Sequence, residues 1–168
     1  MSINPFVQSR TLRAVAGGLA WAVTMPALAV ATCSVSTTPM AFSTYDTLSN
    51  SASQISATLT MSCVIALAPL AVIPYTISLG TSGTSGTMSR QLAGPLGSRL
   101  QYNLYIDSSR STVWGNGSGG TQTVASSVSP GTLGVAAARS HSIYGAIPPR
   151  QAVRPGVYAD GILVTVDY

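Results

Sequence analysis

The amino-acid sequence predicts an all-β protein built as a β-sandwich. In several segments apolar and polar residues alternate, which is the pattern of a strand with one buried face. Segments rich in Gly, Ser and Pro separate these strands, and no segment after residue 31 has a 3.6-residue apolar period. Short alternating strands divided by regular turns are typical of all-β sandwiches.

The most regular alternation lies in residues 54–63, where every second residue from Ile55 to Cys63 is apolar. The intervening positions hold only Ser and Thr, which favours a strand with one face toward solvent. Similar alternation predicts strands over 75–79, 99–107 and 162–168. Weaker alternation predicts further strands over 33–37, 40–45, 87–92, 121–128 and 139–147. The Gly-rich segments 80–86 and 115–120 are predicted loops.

The composition excludes several kinds of enzyme. The chain has 8 basic residues, all Arg, and 4 acidic residues, all Asp. Without Lys there is no P-loop of the usual kind, no Schiff-base lysine and no Ser–Lys dyad. The carboxylates, at positions 46, 107, 160 and 167, are too scattered to suggest a catalytic pair or a metal cluster. We therefore predict no metal site and no cofactor.

The remaining titratable residues do not suggest catalysis either. His141 is the only histidine, and acid–base catalysis would require a partner within hydrogen-bonding reach, which no nearby motif supplies. We interpret His141 as a surface or strand-edge residue and Asp160 as a residue of a turn or of the start of a strand. Nucleic-acid binding is not predicted, because no Arg cluster is interleaved with aromatic residues. The sequence thus predicts a protein that is not an enzyme.

The first 31 residues have the three parts of a secretory signal, which are a basic start, a short apolar core and a small-residue end. The basic residues are Arg10 and Arg13, the apolar core covers 14–23, and the small residues lie in 27–31. We therefore predict export through the inner membrane to the periplasm.

Cleavage of this leader after Ala29 or Ala31 fits its small-residue end best. The alternative is a membrane anchor, but an uninterrupted span needs about 20 apolar residues, and Pro26 interrupts this one. Cleavage would leave a single domain, 32–168, with no membrane span. Its net charge would be 6 − 4 = +2, compared with +4 for the whole chain.

The chain has 2 cysteines, Cys33 and Cys63, both after the leader. An even pair in an oxidising compartment predicts a disulfide. The alternatives are a reactive thiol and a metal site, but two thiols and one distant His make a poor metal site. Closing this loop would stabilise the folded state by roughly 3.5 kcal/mol through the entropy of the unfolded chain.

Several motifs spread along the chain match a known family. They are Cys33 with Val35, the pair Phe42 and Tyr45, the strand ending at Cys63, Arg90, 100–107 (Leu-Gln-Tyr-Asn-Leu-Tyr-Ile-Asp), 113–117 (Val-Trp-Gly-Asn-Gly), 143–148 (Ile-Tyr-Gly-Ala-Ile-Pro), Gln151, 156–160 (Gly-Val-Tyr-Ala-Asp) and 164–168 (Val-Thr-Val-Asp-Tyr). Together they resemble the spore coat protein U domain, which is also the pilin domain of archaic chaperone–usher pili. The resemblance covers essentially all of 32–168.

The resemblance implies an immunoglobulin-like sandwich that lacks its last strand and is open to a donor strand. It implies a structural or adhesive subunit of a surface fibre, whose partners are a periplasmic chaperone, an outer-membrane usher and other pilin-like subunits. Donor-strand complementation is β-augmentation, in which backbone hydrogen bonds supply affinity and alternate side chains supply register. The candidate acceptor groove lies along the last predicted strand, at Ile162, Val164, Val166 and Tyr168. The alternative is a secreted spore-coat or extracellular-matrix protein with a self-sufficient domain.

Two features depart from the family pattern. Cleavage after Ala31 would leave only Thr32 before Cys33, without a strand to donate, which predicts a terminal subunit. Cleavage after Ala22 would keep such a strand, but it leaves a very short apolar core.

The second departure is the apolar segment 64–74. It either extends the flanking strands and packs under a loop, or forms an exposed tip that contacts surfaces, since exposed apolar patches often mark interaction sites. The candidate contact residues are Ile65, Leu67, Leu70 and Val72.

Overall fold

The computed structural model of the chain describes residues 2–9, 31–66, 72–82 and 86–168. Within these ranges it contains nine strands and one short 3₁₀-helix, Pro95–Gly97. The strands are β1 (Ser2–Ser9), β2 (Ala31–Thr37), β3 (Ser53–Ile65), β4 (Ile73–Ser82), β5 (Arg90–Ala93), β6 (Arg99–Tyr105), β7 (Val124–Val128), β8 (Ala137–Ile147) and β9 (Ala159–Asp167).

The strands form the two layers of a β-sandwich. One layer has the order β2-β3-β8-β6, and the other has the order β7-β4-β9 with β1 beside β9. Strand β5 links the layers, because it pairs with β6 and also meets β9 at Ala93 and Ala159. Among the named strands of the described ranges, every pairing is antiparallel except that of β1 with β9. The predicted all-β sandwich is confirmed.

The regular alternation of the sequence explains which side chains of β3 are buried in the core. Residues Leu59, Met61 and Cys63 are fully buried at every second position, as the period of a strand requires. Strand β2 pairs with β3 in a register that sets Cys33 opposite Cys63. The two residues form a disulfide with their Cα atoms 4.1 Å apart. The predicted disulfide is therefore confirmed, and it joins β2 to β3, its one neighbour among the described strands.

Eight of the nine predicted strand segments correspond to observed strands, with shifts of a few residues at their ends. The exception is 40–45, which we predicted as a strand but which contains only a single bridge residue, Met40. The ladder ends where Thr38 bonds to the backbone of Thr58, through its own N–H at 2.9 Å and its hydroxyl at 2.9 Å. Met40 and Phe42 are nevertheless buried, so their apolar character reflects packing and not strand pairing.

Side chains from loops and strands join the two layers through the core. Trp114 is completely buried, and its indole N–H donates to the Ile77 carbonyl at 3.2 Å. Tyr75 of β4 and His141 of β8 share a hydrogen bond of 2.7 Å across the sandwich. At that point β8 pairs only with β3, so His141 occupies the predicted strand-edge position.

The segments that the sequence assigned to the leader lie partly within the described ranges. Residues 2–9 form β1, which the alternation did not predict, and Ala31 is the first residue of β2. Of the two predicted cleavage positions, Ala29 lies outside the described residues and Ala31 begins β2, and cleavage itself stays a prediction. None of the helical residues that the structure describes belongs to a helix long and apolar enough to span a membrane.

Candidate strand-acceptor edge

The candidate acceptor residues lie on β9, whose two faces differ sharply. Ile162, Val164 and Val166 point into the core and are 3%, 2% and 4% exposed. Leu163 and Thr165 lie between them and are half-buried on the opposite face. The fourth candidate, Tyr168, follows the end of β9 and is 39% exposed. It therefore does not belong to the buried face that the other three form.

The two edges of β9 have different neighbours. On one edge β4 pairs with Ile162–Asp167, and β5 continues that edge at Ala159. On the other edge, the one described strand that pairs with β9 is β1, which runs parallel to it from Ala159 to Val166. An uncovered strand edge presents unpaired backbone N–H and C=O groups and promotes pairing with other chains. This second edge is the candidate strand-acceptor edge.

The interior of the sandwich is not completely filled. A small apolar cavity of about 30 Å³ lies between the layers. Its lining combines residues of β9 and the neighbouring β4 (Leu79, Ile162 and Val164) with residues of the opposite layer and of the segment after β2: Thr37, Thr38, Met40, Ala57, Leu104 and Ile143.

A larger cleft of about 720 Å³ lies where β9 begins. Its floor contains the buried side chains of Phe42, Leu100 and Tyr158. Its walls come from the loops 43–47 and 153–157. The Tyr158 hydroxyl donates a hydrogen bond to the Arg154 carbonyl oxygen at 2.7 Å. This bond holds the 153–157 loop in place.

A buried arginine holds β4, the strand that pairs with β9 on the edge opposite the candidate acceptor edge. Arg90 is fully buried and donates hydrogen bonds to three backbone carbonyl oxygens, those of Gly80 at 2.7 Å, Leu79 at 3.4 Å and Trp114 at 3.3 Å. Burial lowers the pKa of the Arg90 guanidinium, and the nearby Tyr102 and Asp160 oppose this shift. Arg90 thus fastens the end of β4 to the Trp114 loop.

Tyr102 and Asp160 form a second polar contact, between β6 and β9. The Tyr102 hydroxyl donates to Asp160 Oδ2 at 2.6 Å. Burial raises the pKa of Tyr102 far above its usual value, and the hydrogen bond to Asp160 adds to this effect. Asp160 is the second residue of β9, as interpreted from the sequence, but its partner was not predicted. The sequence did contain a signal for such a partner, because Tyr102 lies on the apolar face of 99–107. A buried phenol hydroxyl usually finds a hydrogen-bond partner.

In the described part of the chain, the titratable side chains of His141 and Asp107 are each held by nearby polar groups. His141 contacts Tyr75, and burial lowers the pKa of its imidazole, with a smaller effect from Arg139. Asp107 accepts hydrogen bonds from Ser109, Ser111 and Thr112, and these lower the pKa of its carboxyl group. Within the part of the chain that the structure describes, no three His, Cys, Asp or Glu side chains could hold a metal ion together.

Comparison with known families assigns the chain. The model of the Spore Coat Protein U domain matches residues 20–165, which is most of the chain. The chain belongs to the Spore Coat Protein U (SCPU) domain family. The match begins within the predicted leader and so extends beyond the 32–168 segment that carries the motifs. No curated protein matches the sequence.

Among solved structures, the SCPU chain is similar to a complex from Acinetobacter baumannii. That structure is the CsuC–CsuE chaperone–tip adhesion subunit pre-assembly complex of the archaic chaperone–usher Csu pili. The similarity has a TM-score of 0.56 at 17% sequence identity, and it covers 83% of this chain and 40% of that chain. At this identity the likeness concerns the fold alone, and the SCPU chain spans less than half of the matched chain.

The apolar segment 64–74 of the SCPU domain is only partly described. Ile65 is 1% exposed and ends β3, so it belongs to the core and not to a contact surface. Val72 is 61% exposed and directly precedes β4, whereas Leu67 and Leu70 lie outside the described residues. The observed strands β3 and β4 extend into both ends of this segment, as one of the two interpretations expected.

Proposed function

We propose that this SCPU protein is a non-catalytic subunit of a chaperone–usher surface fibre, assembled by strand donation. In this proposal the chain enters the periplasm, binds a chaperone there, passes an outer-membrane usher and joins other pilin-like subunits at the cell surface. The main support is the edge of β9 opposite β4, where a buried apolar face adjoins backbone groups that, among the described strands, pair with β1 alone. The family membership and the fold of the Csu complex agree with it.

The subunit would accept a strand along Ile162, Val164 and Val166. A donor strand would gain backbone hydrogen bonds with β9, and its alternate side chains would enter the space between the layers. If the leader is cleaved after Ala31, the mature chain has no strand to donate, and we propose a terminal position in the fibre.

The test is periplasmic expression of the chain with and without an archaic chaperone, with the Csu chaperone as the probe. We expect a one-to-one complex in gel filtration, and slower amide hydrogen exchange across Ala159–Asp167 in the complex than in the free chain. A matched variant, Val164→Asp, places a charge on the buried face and should lose the complex. Ser36→Asp, which places the same charge at an exposed position of β2, should retain it.

A second function is favoured by one observation, the pairing of β1 with β9 in the same chain. A domain that completes its own sheet could serve as a secreted coat or matrix protein. In that case the chain would remain a soluble monomer without a chaperone, and β9 would be equally protected with and without one. This result would contradict the fibre proposal.

A further inference from the structure

The loop after Trp114 contains an asparagine that is directly followed by a glycine. Asn116 and Gly117 are exposed and lie in the Gly-rich segment 115–120. Gly117 has a φ of 83°, in the left-handed region that glycine adopts without steric cost. In an Asn-Gly pair the backbone nitrogen of the glycine can reach the carbonyl carbon of the asparagine side chain, because no glycine side chain hinders it. The pair is therefore a candidate for a reaction of the chain with itself.

The two nitrogen atoms that such a reaction involves are free. Within the part of the chain that the structure describes, neither the backbone N–H of Gly117 nor the side-chain nitrogen Nδ2 of Asn116 donates a hydrogen bond. The first would act as the nucleophile and the second as the leaving group. Because both residues are exposed, solvent can accept the proton of the nucleophile and take up the ammonia that leaves.

The oxygen of the same side chain is held by two donors from one residue. Ser118 donates to Asn116 Oδ1 through its backbone N–H at 3.1 Å and through its hydroxyl at 2.6 Å. When a nucleophile adds to the side-chain carbonyl carbon Cγ, negative charge develops on this oxygen. Donors that already point at an oxygen on which charge develops lower the barrier. Ser118 would therefore favour attack on Asn116.

Two other described asparagines lack this combination. Asn50 is followed by a serine, and its side-chain oxygen accepts a hydrogen bond from Arg150. Asn103 is followed by a leucine and is buried. Its side-chain nitrogen donates to the Met88 carbonyl at 2.9 Å, so the leaving group is engaged. Both serve as internal references for the reaction at Asn116.

An aspartate in a strand provides a further reference. Asp160 is followed by Gly161, but both residues belong to β9. Its two carboxylate oxygens accept hydrogen bonds from the Tyr102 hydroxyl at 2.6 Å and from the Gly161 N–H at 2.8 Å. The nitrogen that would attack is thus already a donor, and the ladder fixes the backbone on both sides. A following glycine is therefore not sufficient by itself.

We propose that Asn116 is a self-modification site, at which the folded chain converts asparagine to aspartate and isoaspartate through a cyclic imide. In the first step a bond forms between Gly117 N and Asn116 Cγ, the amide proton passes to solvent, and the Cγ–Nδ2 bond breaks with release of ammonia. In the second step water opens the ring. Hydrolysis at Cγ gives aspartate, whereas hydrolysis at the backbone carbonyl carbon of residue 116 gives isoaspartate. Water is the one co-reactant, and no atom is oxidised or reduced.

The modification changes the charge of the loop. Each conversion adds one carboxylate, so the net charge of residues 32–168 would change from 6 − 4 = +2 to 6 − 5 = +1. In the aspartate product the two donors of Ser118 would face a charged oxygen, and hydrogen bonds to a charged acceptor are stronger than neutral ones. The inference concerns the domain itself and does not depend on the proposed function.

The first experiment follows the reaction in the folded full chain at mildly alkaline pH. Trypsin cleaves after Arg110 and Arg139 and releases a peptide in which Asn116 is the only asparagine. Mass spectrometry of this peptide distinguishes asparagine, aspartate and isoaspartate, and a sample digested at time zero corrects for conversion during digestion.

We expect conversion at Asn116 to be at least about tenfold faster than at Asn50 or Asn103, with isoaspartate among the products. Isoaspartate is the signature of the cyclic imide, because direct hydrolysis of the side-chain amide gives aspartate alone. Conversion at Asn116 no faster than at Asn50, or conversion without isoaspartate, would overturn the inference. Isoaspartate at Asp160 to the same extent would overturn the reasoning from loop geometry.

The second experiment tests the contribution of Ser118. Ser118→Ala removes the hydroxyl donor and should slow the conversion by at least about threefold, whereas Ser118→Thr keeps a hydroxyl and should retain most of the rate. Circular dichroism checks that both variants fold. In urea-unfolded chains the wild type and Ser118→Ala should react equally fast, because the contact exists in the folded loop. An unchanged or higher rate in folded Ser118→Ala, or the same difference in urea, would overturn the role of Ser118.

Discussion

The disulfide Cys33–Cys63 should be the largest single covalent contribution to the stability of this SCPU domain. It joins β2, an outer strand, to β3, and β2 has no other strand neighbour in the described sheet. The variant Cys33→Ala/Cys63→Ala opens a loop with a sequence separation of 30. Because Cys63 is fully buried, Ala is preferable to Ser, which would bury a hydroxyl without a known partner.

From the loop length we expect the free energy of unfolding to fall by roughly 3.5 kcal/mol. For a urea dependence of about 2 kcal/mol/M, this corresponds to a midpoint lower by about 1.8 M. The assay is urea unfolding of the full chain, followed by circular dichroism under oxidising conditions. Reduction of the wild-type protein should produce a similar loss.

The matched control is Ser34→Ala/Ser62→Ala, which changes the adjacent register pair and should alter stability by less than about 0.5 kcal/mol. A folded double-alanine variant that loses less than about 1 kcal/mol would refute the reasoning. Such a result would mean that the reduced, unfolded chain is already restricted near these residues.

Three further predictions follow from particular side chains. Arg90→Met leaves three carbonyl oxygens without their donor and should lower the free energy of unfolding by about 3 kcal/mol; a loss below about 0.5 kcal/mol in urea unfolding would contradict this role. The pKa of His141 is lowered from 6.5 by burial, so the folded state favours neutral imidazole. Its stability should therefore fall as the pH drops below about 6.5, and His141→Gln should flatten the melting temperature between pH 5 and 7; unchanged pH dependence would argue against this. Gly94→Ala would place a Cβ in steric clash with the Tyr158 ring and should cost about 1–3 kcal/mol in thermal or urea unfolding. Its control Gly86→Ala meets no atom within 4 Å, and equal losses in the two variants would contradict the steric reasoning.

The alternation of residues was sufficient to predict most of the sheet. In 54–63 each apolar residue follows a polar one, and the resulting strand β3 buries Leu59, Met61 and Cys63. The same reasoning located β6 and β9, because a strand with one buried face imposes a period of two directly on the sequence. The segment 40–45 was predicted wrongly, since Met40 and Phe42 are buried by packing without a ladder.

The polar contacts of the core could not be predicted in the same way. Arg90 donates to carbonyl groups of β4 and of the Trp114 loop, and Tyr102 meets Asp160 across 58 positions of the chain. Such contacts depend on which strands become neighbours and in what register. Neither is encoded in the local pattern of one segment.

The sequence alone determined the all-β class, most of the strands and the pairing of the two cysteines, because each depends on local periodicity or on the number of thiols. The tertiary structure decided which described segment lies on the edge of β9 opposite β4. That segment, residues 2–9, has the composition of a leader, and only its register beside β9 shows that its backbone can complete the sheet. Strand pairing is a contact between distant parts of the chain, and its energy comes from backbone groups that all sequences share.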